Sequence, residues 1–380
     1  MRSSPLLSSD SHVIEPPDTW ITRMPAKLRH RAPKVVAGDD ADYWVVDGEM
    51  SNSFAGGVQA GLRFEDAANL RSAARFVEVR KGGFEPRAHL AENLLDHVYG
   101  SVLYPTEGLL LFGVNDTILL HEICRAYNDW MAEFCATAPE SLKGVAMIIV
   151  DNVEWALREI RRVLDLGMSG VMIPVAPLPD ASYGDRALDP VWDMLSQTGT
   201  PVSLHIATNR AGLAPMGQFK SVSAATMVNT DYWVRSTLAD MILSGVMERF
   251  ENLAVGTVEH ELSWIPYFVD RLDYNYTQRA HRDGWHRFSS DMLPSDYFRK
   301  NVFASFQEDS KGVADCLALN IDNLMFGSDY PHTESTFPRS SKIVAEVTLG
   351  IGPIDVEKLT WKNCAEMYKF SDSMSSILPA

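Results

Sequence analysis

Near the start of the chain, Ser9-Asp10-Ser11-His12-Val13-Ile14-Glu15-Pro16-Pro17 sets a carboxylate and an imidazole two residues apart at the end of a short strand-like run. Side chains along a strand alternate faces, so Asp10 and His12 point the same way and converge on one spot. That arrangement suits a divalent cation. A lone D-x-H triplet is common by chance, and its meaning rests on whether other strands end in matching ligands. Three more runs do. His205 follows Pro201-Val202-Ser203-Leu204, Glu259-His260-Glu261 follows Ala254-Val255-Gly256-Thr257-Val258, and Asp329 follows Asn323-Leu324-Met325-Phe326-Gly327-Ser328. Any one of these has an ordinary explanation, such as a buried histidine bonded to backbone or, for Asp329, a helix N-cap. Four apolar runs ending in metal-type ligands point together to a metal site.

The elements that would position these residues alternate regularly from Gly100 onward. Apolar runs at 101–104, 144–150, 170–174, 201–205, 254–258, 302–305 and 323–328 read as buried strands. Between them, helical spacing covers 115–134, where Leu119, Ile123, Tyr127, Trp130 and Phe134 recur at three- and four-residue steps, and 153–166, closed by Gly167. Further helices are expected over 190–197, 232–243, 264–274, 310–319 and 356–370. With the strand that ends at His12, this makes eight strand–helix units, the pattern of an α/β protein with a (β/α)8 TIM-like barrel. An open doubly wound sheet is the runner-up, but no G-x-G-x-x-G follows any strand. In a barrel the catalytic side chains gather where strands end, which is where the candidate ligands fall. Residues 16–100 read as a long irregular insertion covering the site, with a hairpin over 43–50 turning at Asp47-Gly48. The whole of 1–380 is expected to be one domain.

Composition narrows the function classes. With 380 residues and 46% hydrophobic content the chain can bury a large core. A net charge of −16 argues against nucleic acid or an anionic membrane as partner, since both attract basic faces. No apolar run approaches a membrane span, and Met1-Arg2-Ser3-Ser4-Pro5-Leu6-Leu7 holds no signal-peptide core. Cys124, Cys135, Cys316 and Cys364 are scattered, so they are expected to be reduced and packed in a cytoplasmic protein.

Taken together, D-S-H-V-I-E-P-P, S-L-H, V-E-H-E-L-S-W-I-P and F-G-S-D-Y-P-H resemble the amidohydrolase-related branch of the amidohydrolase superfamily, which includes the aminocarboxymuconate semialdehyde decarboxylase-like non-oxidative decarboxylases. The resemblance runs from Asp10 to Lys362-Asn363-Cys364. It implies a distorted (β/α)8 barrel with a divalent metal ion held by Asp10, His12, His205 and Asp329, and with His260 as catalytic histidine six residues before Pro266. Two departures stand out. The first motif carries Asp10 where H-x-H is commoner, and a carboxylate there shifts the preference from Zn toward Mn or Fe. The fourth strand ends in Ile173-Pro174, without the lysine that bridges two metals in some relatives, so one ion per chain is expected. Should a second metal bind, His205 and His260 would supply imidazoles and Glu15, Glu259 or Glu261 a carboxylate; His332 reads as a supporting residue.

The resemblance favours decarboxylation of a small aromatic or unsaturated carboxylate, with His260 and Asp329 handling protons. Metal-dependent hydrolysis of an amide, ester or lactone is the second reading, and a dinuclear iron or manganese oxygenase the third. Arg80, Arg87 and Arg210 are candidates for a substrate-carboxylate clamp, and Trp264 and Tyr104 for an aromatic pocket wall. The basic run 279–287 reads as an exposed loop or a dimer contact rather than a ligand site. The expected partners are a small-molecule substrate and a second copy in a homodimer.

Overall fold

A computed structural model describes residues 5–210, 224–279 and 284–370. Eight parallel strands run in chain order around the molecule: β1 (Leu6–His12), β2 (Val98–Tyr104), β3 (Leu142–Met147), β4 (Gly170–Ile173), β5 (Val202–His205), β6 (Val255–Val258), β7 (Val302–Phe306) and β8 (Leu324–Phe326). Almost every residue in them is buried, as expected for a sheet covered by helices on one face and filled by side chains on the other. Register sets the strand ends level where it matters: His12 pairs with Tyr104, and His205 with Val258.

The barrel closes between β8 and β1 through a seam of small residues instead of a regular ladder. Ser9 Oγ donates to the Phe326 carbonyl (3.0 Å), and the Ser328 amide donates to Ser8 Oγ (2.8 Å). Just beyond, the Asp329 amide donates to the Asp10 carbonyl (2.8 Å) and the His12 amide to the Tyr330 carbonyl (2.7 Å). Gly327 is required here, because a Cβ at that position would lie 2.6 Å from the Asp10 Cβ. The seam therefore ties two of the candidate ligands to each other through their own backbones.

Helices fall where the periodicity places them. Thr117–Cys135 starts at Asp116, whose carboxylate accepts the Ile118 and Leu119 amides at 3.0 and 3.1 Å. Val153–Asp165, Asp189–Thr198, Tyr232–Leu243, Ile265–Gln278 and Ser310–Ala318 follow the expected order. The closing helix differs. It is broken into Pro353–Glu357, a π-turn over Lys358–Lys362, and Asn363–Met367. The strand expected over 144–150 instead spans Leu142–Met147, and β2 begins at Val98, so the insertion ends earlier than 100.

That insertion is more ordered than its sequence suggests. Lys34–Ala37, Asp42–Val46 and Glu49–Ser53 form a three-stranded antiparallel sheet. Asp47 and Gly48 turn the expected hairpin with φ of 51° and 87°, the two left-handed residues of a type I′ turn. The strand Lys34–Ala37 is only four residues long and mostly exposed, too short to show an alternation. Consecutive ring contacts Trp20–Trp44–Phe54–Phe76–Phe84, with centroids 5.1–5.6 Å apart, hold the insertion together. Trp20 Nε1 donates to the Ile123 carbonyl (3.1 Å), fastening it to the helix Thr117–Cys135. One apolar core runs from Leu6 to Phe370. All four cysteines are buried and unbridged, as expected for packed thiols. Among the described residues no helix is long and apolar enough to cross a membrane.

Candidate metal centre and active-site cavity

The strand ends converge as their spacing implies. His12 Nε2 lies 3.4 Å from Asp10 Oδ1 and 3.3 Å from Asp329 Oδ1. His205 Nε2 lies 3.5 Å from Asp10 Oδ1, and Glu259 Oε2 is 3.5 Å from His205 Nε2 and 3.8 Å from His12 Nε2. Asp10, His12, His205 and Asp329 are completely buried.

Backbone carbonyls set the orientation of both imidazoles. His12 Nδ1–H donates to Pro105 O (2.7 Å) and His205 Nδ1–H to Ile206 O (3.0 Å), which turns each Nε2 toward the cluster. Asp10 Oδ1 and Oδ2, His12 Nε2, His205 Nε2 and Asp329 Oδ2 are buried without a hydrogen-bond partner. Such orphaned acceptors are costly in a dry interior unless a cation joins them. Asp10, His12, His205 and Glu259 bring one donor atom each within 4.8 Å of one another, a set that fits a divalent metal ion, and Asp329 groups likewise with His12, Glu259 and His332.

The electrostatics of these groups show charge in need of a counter-ion. Burial works against an ionised Asp10, yet attraction to His12 and His205 outweighs it and holds the carboxyl below its usual range. Asp329 is pushed well up by burial, with repulsion from Asp10 and Glu334 adding to it. Glu259 is likewise pushed well up by burial and by Asp329. The carboxyls cannot all ionise side by side without a cation among them.

Adjacent residues on a strand face opposite ways, yet Glu259 and His260 both serve this side of the barrel. Glu259 takes φ = 61° and Glu261 φ = 51°, left-handed values uncommon for residues with a Cβ, and the turn redirects the chain. Asp329 (φ = 56°) and Ala207 (φ = 66°) share this conformation at neighbouring strand ends. His260 Nδ1 bonds Thr257 Oγ1 (3.1 Å), while its Nε2 is buried and unpartnered. Burial, aided by His205, lowers its pKa to about 3, so the ring is neutral. His332 supports the metal cluster. Its Nδ1 sits 2.8 Å from Asp329 Oδ1, its Nε2 is 2.8 Å from Thr106 Oγ1, and its ring stacks on His12 at 3.9 Å.

A cavity of about 480 Å³ opens beside His260. Among the described residues, Leu110, Val175 and Trp233 give it apolar walls, and Asn52 and Thr230 add polar groups; no arginine or lysine lines it. Asn52 belongs to the strand Glu49–Ser53 of the insertion, which therefore reaches the cavity. Asn52 and Trp233 escaped the sequence reading. The aromatic pair Tyr232-Trp233 at a helix start was a usable signal, whereas Asn52 reaches the site only through the insertion's fold.

Several sequence expectations are corrected. Glu15 is no metal ligand: its carboxylate accepts the amides of Thr106, Glu107 and Gly108 at 3.3, 3.0 and 2.9 Å, capping the helix Glu107–Leu111, and burial raises its pKa to about 7. Glu261 turns away and accepts the Gln307 and Glu308 amides. Arg210 is no substrate clamp. Its Nη1 donates to the Phe112 and Val114 carbonyls (2.8 and 3.0 Å), and its Nη2 pairs with Asp151 (2.7 Å). Arg80 pairs with Glu92 (2.8 Å), and Arg87 is exposed. Trp264 bonds the Glu261 carbonyl and packs on Phe268, away from the cavity lining. Tyr104 sends its hydroxyl to Ser203 (2.8 Å) and Tyr368 (3.1 Å), while its ring lies 4.9 Å from that of His205, so it supports a ligand from within the barrel. Within the basic run 279–287, Ala280, His281, Arg282 and Asp283 lie outside the described residues; His286 pairs with Glu248, and Arg287 covers the Tyr276 ring.

A family model described as amidohydrolase matches residues 105–370, most of the barrel and every candidate ligand beyond β1. The chain belongs to the amidohydrolase family. Within that family it is 23% identical over 279 residues to gamma-resorcylate decarboxylase of Polaromonas sp., an alignment covering 68% of this chain and 79% of that one. Its fold matches an amidohydrolase of Mycobacterium avium subsp. paratuberculosis with a TM-score of 0.79, at 21% identity over 97% of this chain and 98% of that one. It also matches dihydroxybenzoic acid decarboxylase of Polaromonas sp., solved with manganese and the inhibitor 2-nitroresorcinol, with a TM-score of 0.64 at 17% identity, covering 96% and 97%. These likenesses confirm the barrel expected from eight strand–helix units.

Proposed function

We propose that this amidohydrolase is a metal-dependent non-oxidative decarboxylase of a small aromatic carboxylate. The observation that carries the reading is the buried set Asp10, His12, His205 and Asp329, with its orphaned acceptor atoms, beside an apolar cavity that His260 lines. The decarboxylase relatives support the choice of reaction. A divalent ion bound there supplies Lewis-acid stabilisation of substrate oxygens, which suits a cavity that offers no cationic side chain among its described residues. One ion per chain, manganese before zinc, is the reading that the carboxylate-rich set around His12 and His205 supports.

The chain's own residues then have distinct tasks. The apolar walls around Leu110, Val175 and Trp233 receive the ring and exclude water. Asp329, in contact with His332 Nδ1 at 2.8 Å, takes up a proton and delivers it to the carbon that carries the carboxylate. The C–C bond then breaks, its electron pair returns to the ring, and carbon dioxide departs. Neutral His260 presents Nε2 to the cavity and orients the substrate by hydrogen bonding. The unbridged thiols accord with a cytoplasmic enzyme.

The test is carbon dioxide release from a panel of hydroxylated benzoates by manganese-loaded protein. Turnover should vanish with chelator and fall by about 10²–10⁴ in Asp329→Asn, the range of a lost proton-transfer group. Hydrolysis of an amide, ester or lactone panel without any carbon dioxide release refutes the lyase assignment.

A further inference from the structure

We infer that Glu259 is a protein ligand of the metal ion held by Asp10, His12 and His205, and that its carboxylate oxygen tunes the centre toward a hard cation such as manganese over zinc. The inference rests on the metal-centre reading above and extends it to a residue outside the four ligands that the resemblance implies.

Geometry carries the argument. Two donors of one ion, each about 2.1 Å from it at angles between tetrahedral and octahedral, lie about 3.0–3.5 Å apart. Asp10 Oδ1 lies 3.4 and 3.5 Å from His12 Nε2 and His205 Nε2, and Asp10, His12, His205 and Glu259 each bring one donor atom within 4.8 Å of all the others, whereas Asp329 groups with His12, Glu259 and His332. Glu259 Oε2 falls in the same pattern at 3.5 Å from His205 Nε2 and close to it at 3.8 Å from His12 Nε2. Among the described residues those two imidazoles are its ion-pair contacts, with no lysine or arginine beside it. With each Nδ1–H committed to a carbonyl, a neutral imidazole would aim a lone pair at the carboxylate, and a cation turns that repulsion into shared ligation.

The backbone supports the assignment. Glu259 holds φ = 61°, a conformation in which glycine would be at ease, yet here a glutamate occupies it and directs its carboxylate at the cluster. Its side chain is 23% exposed, against 0–1% for Asp10, His12, His205 and Asp329, so it closes the solvent-facing side of the centre. Two carboxylates and two imidazoles then face the ion, and the added carboxylate oxygen hardens the donor set, which favours manganese over zinc.

The experiment is calorimetric titration of metal-free protein with Mn²⁺ and, separately, Zn²⁺, for wild type, Glu259→Gln and Glu259→Gly. The glutamine keeps the shape and removes the charge. The glycine relieves the left-handed backbone, so weaker binding in that variant cannot arise from strain, and a thermal melt of the metal-free protein checks the fold. Wild type should take up one ion, and both variants should lose about tenfold or more in Mn²⁺ affinity while Zn²⁺ affinity falls less. Unchanged Mn²⁺ affinity in both variants overturns Glu259 as a ligand and leaves the metal centre itself standing. Equal losses for the two metals overturn the selectivity. A second ion that disappears with Glu259 shows a dinuclear site and overturns the shared-ion geometry. A wild type that binds neither metal refutes the inference and the metal centre together.

Discussion

Replacing Arg210 with methionine separates two roles that an arginine near a substrate cavity can play. If it clamped a substrate carboxylate, Arg210→Met would raise KM and leave stability untouched. The structure gives it a different task. The side chain is only 2% exposed, and it bridges Phe112 O, Val114 O and the Asp151 carboxylate. Methionine fills much of the same volume but strands two carbonyls and leaves the Asp151 side chain, 11% exposed, without its counter-ion. Breaking a buried pair from one side costs about 3–5 kcal/mol, and the residual access of Asp151 to water places the expected loss near the lower end of that range. Urea unfolding in saturating metal measures it. Arg210→Met/Asp151→Leu should recover about 1–2 kcal/mol, because the stranded carboxylate is gone. A loss below about 1 kcal/mol with a many-fold rise in KM would refute the structural role and restore the clamp.

Two further outcomes follow from particular contacts. Gly327→Ala places a Cβ 2.6 Å from the Asp10 Cβ at the barrel seam, so Asp10 must shift; metal affinity should drop by about tenfold or more in a direct titration, and an unchanged affinity contradicts the seam's role in aiming that ligand. His89 is fully buried, with Nδ1 bonded to the Gly82 carbonyl, and burial lowers its pKa from 6.5 to about 4. Between those values the unfolded chain binds a proton that the folded one refuses, so stability is intact above pH 6.5 and falls as the pH drops toward 4. The wild type should lose about 3 kcal/mol more than His89→Gln over that descent in urea unfolding, and parallel pH curves would exclude His89 as the source.

The chemistry of this protein is written in residues a few positions apart. Strand alternation puts Asp10 and His12 on one face from a spacing of two, and apolar runs of four to six residues locate His205, His260 and Asp329 at strand ends without any knowledge of contacts. Eight such runs with helices between them determine the barrel, and the barrel in turn requires those ends to meet. Even the Asp47-Gly48 turn is legible, since only left-handed residues fit a two-residue hairpin loop of this hand.

What the sequence leaves open are the choices among chemically equal side chains. Glu15, Glu259 and Glu261 look alike as carboxylates near a strand end, yet one caps a helix, one faces the imidazoles and one binds the Gln307 and Glu308 amides. Arg210 resembles a substrate anchor until Asp151 and two carbonyls occupy its guanidinium. Asn52 reaches the cavity only because the insertion folds into its own sheet and is pinned through Trp20 to the helix Thr117–Cys135. Spacing along a chain encodes which face a residue takes within its own element. The partner that a flexible charged side chain finds is decided by backbone amides, carbonyls and counter-ions from distant segments, and these come within reach only when the barrel closes.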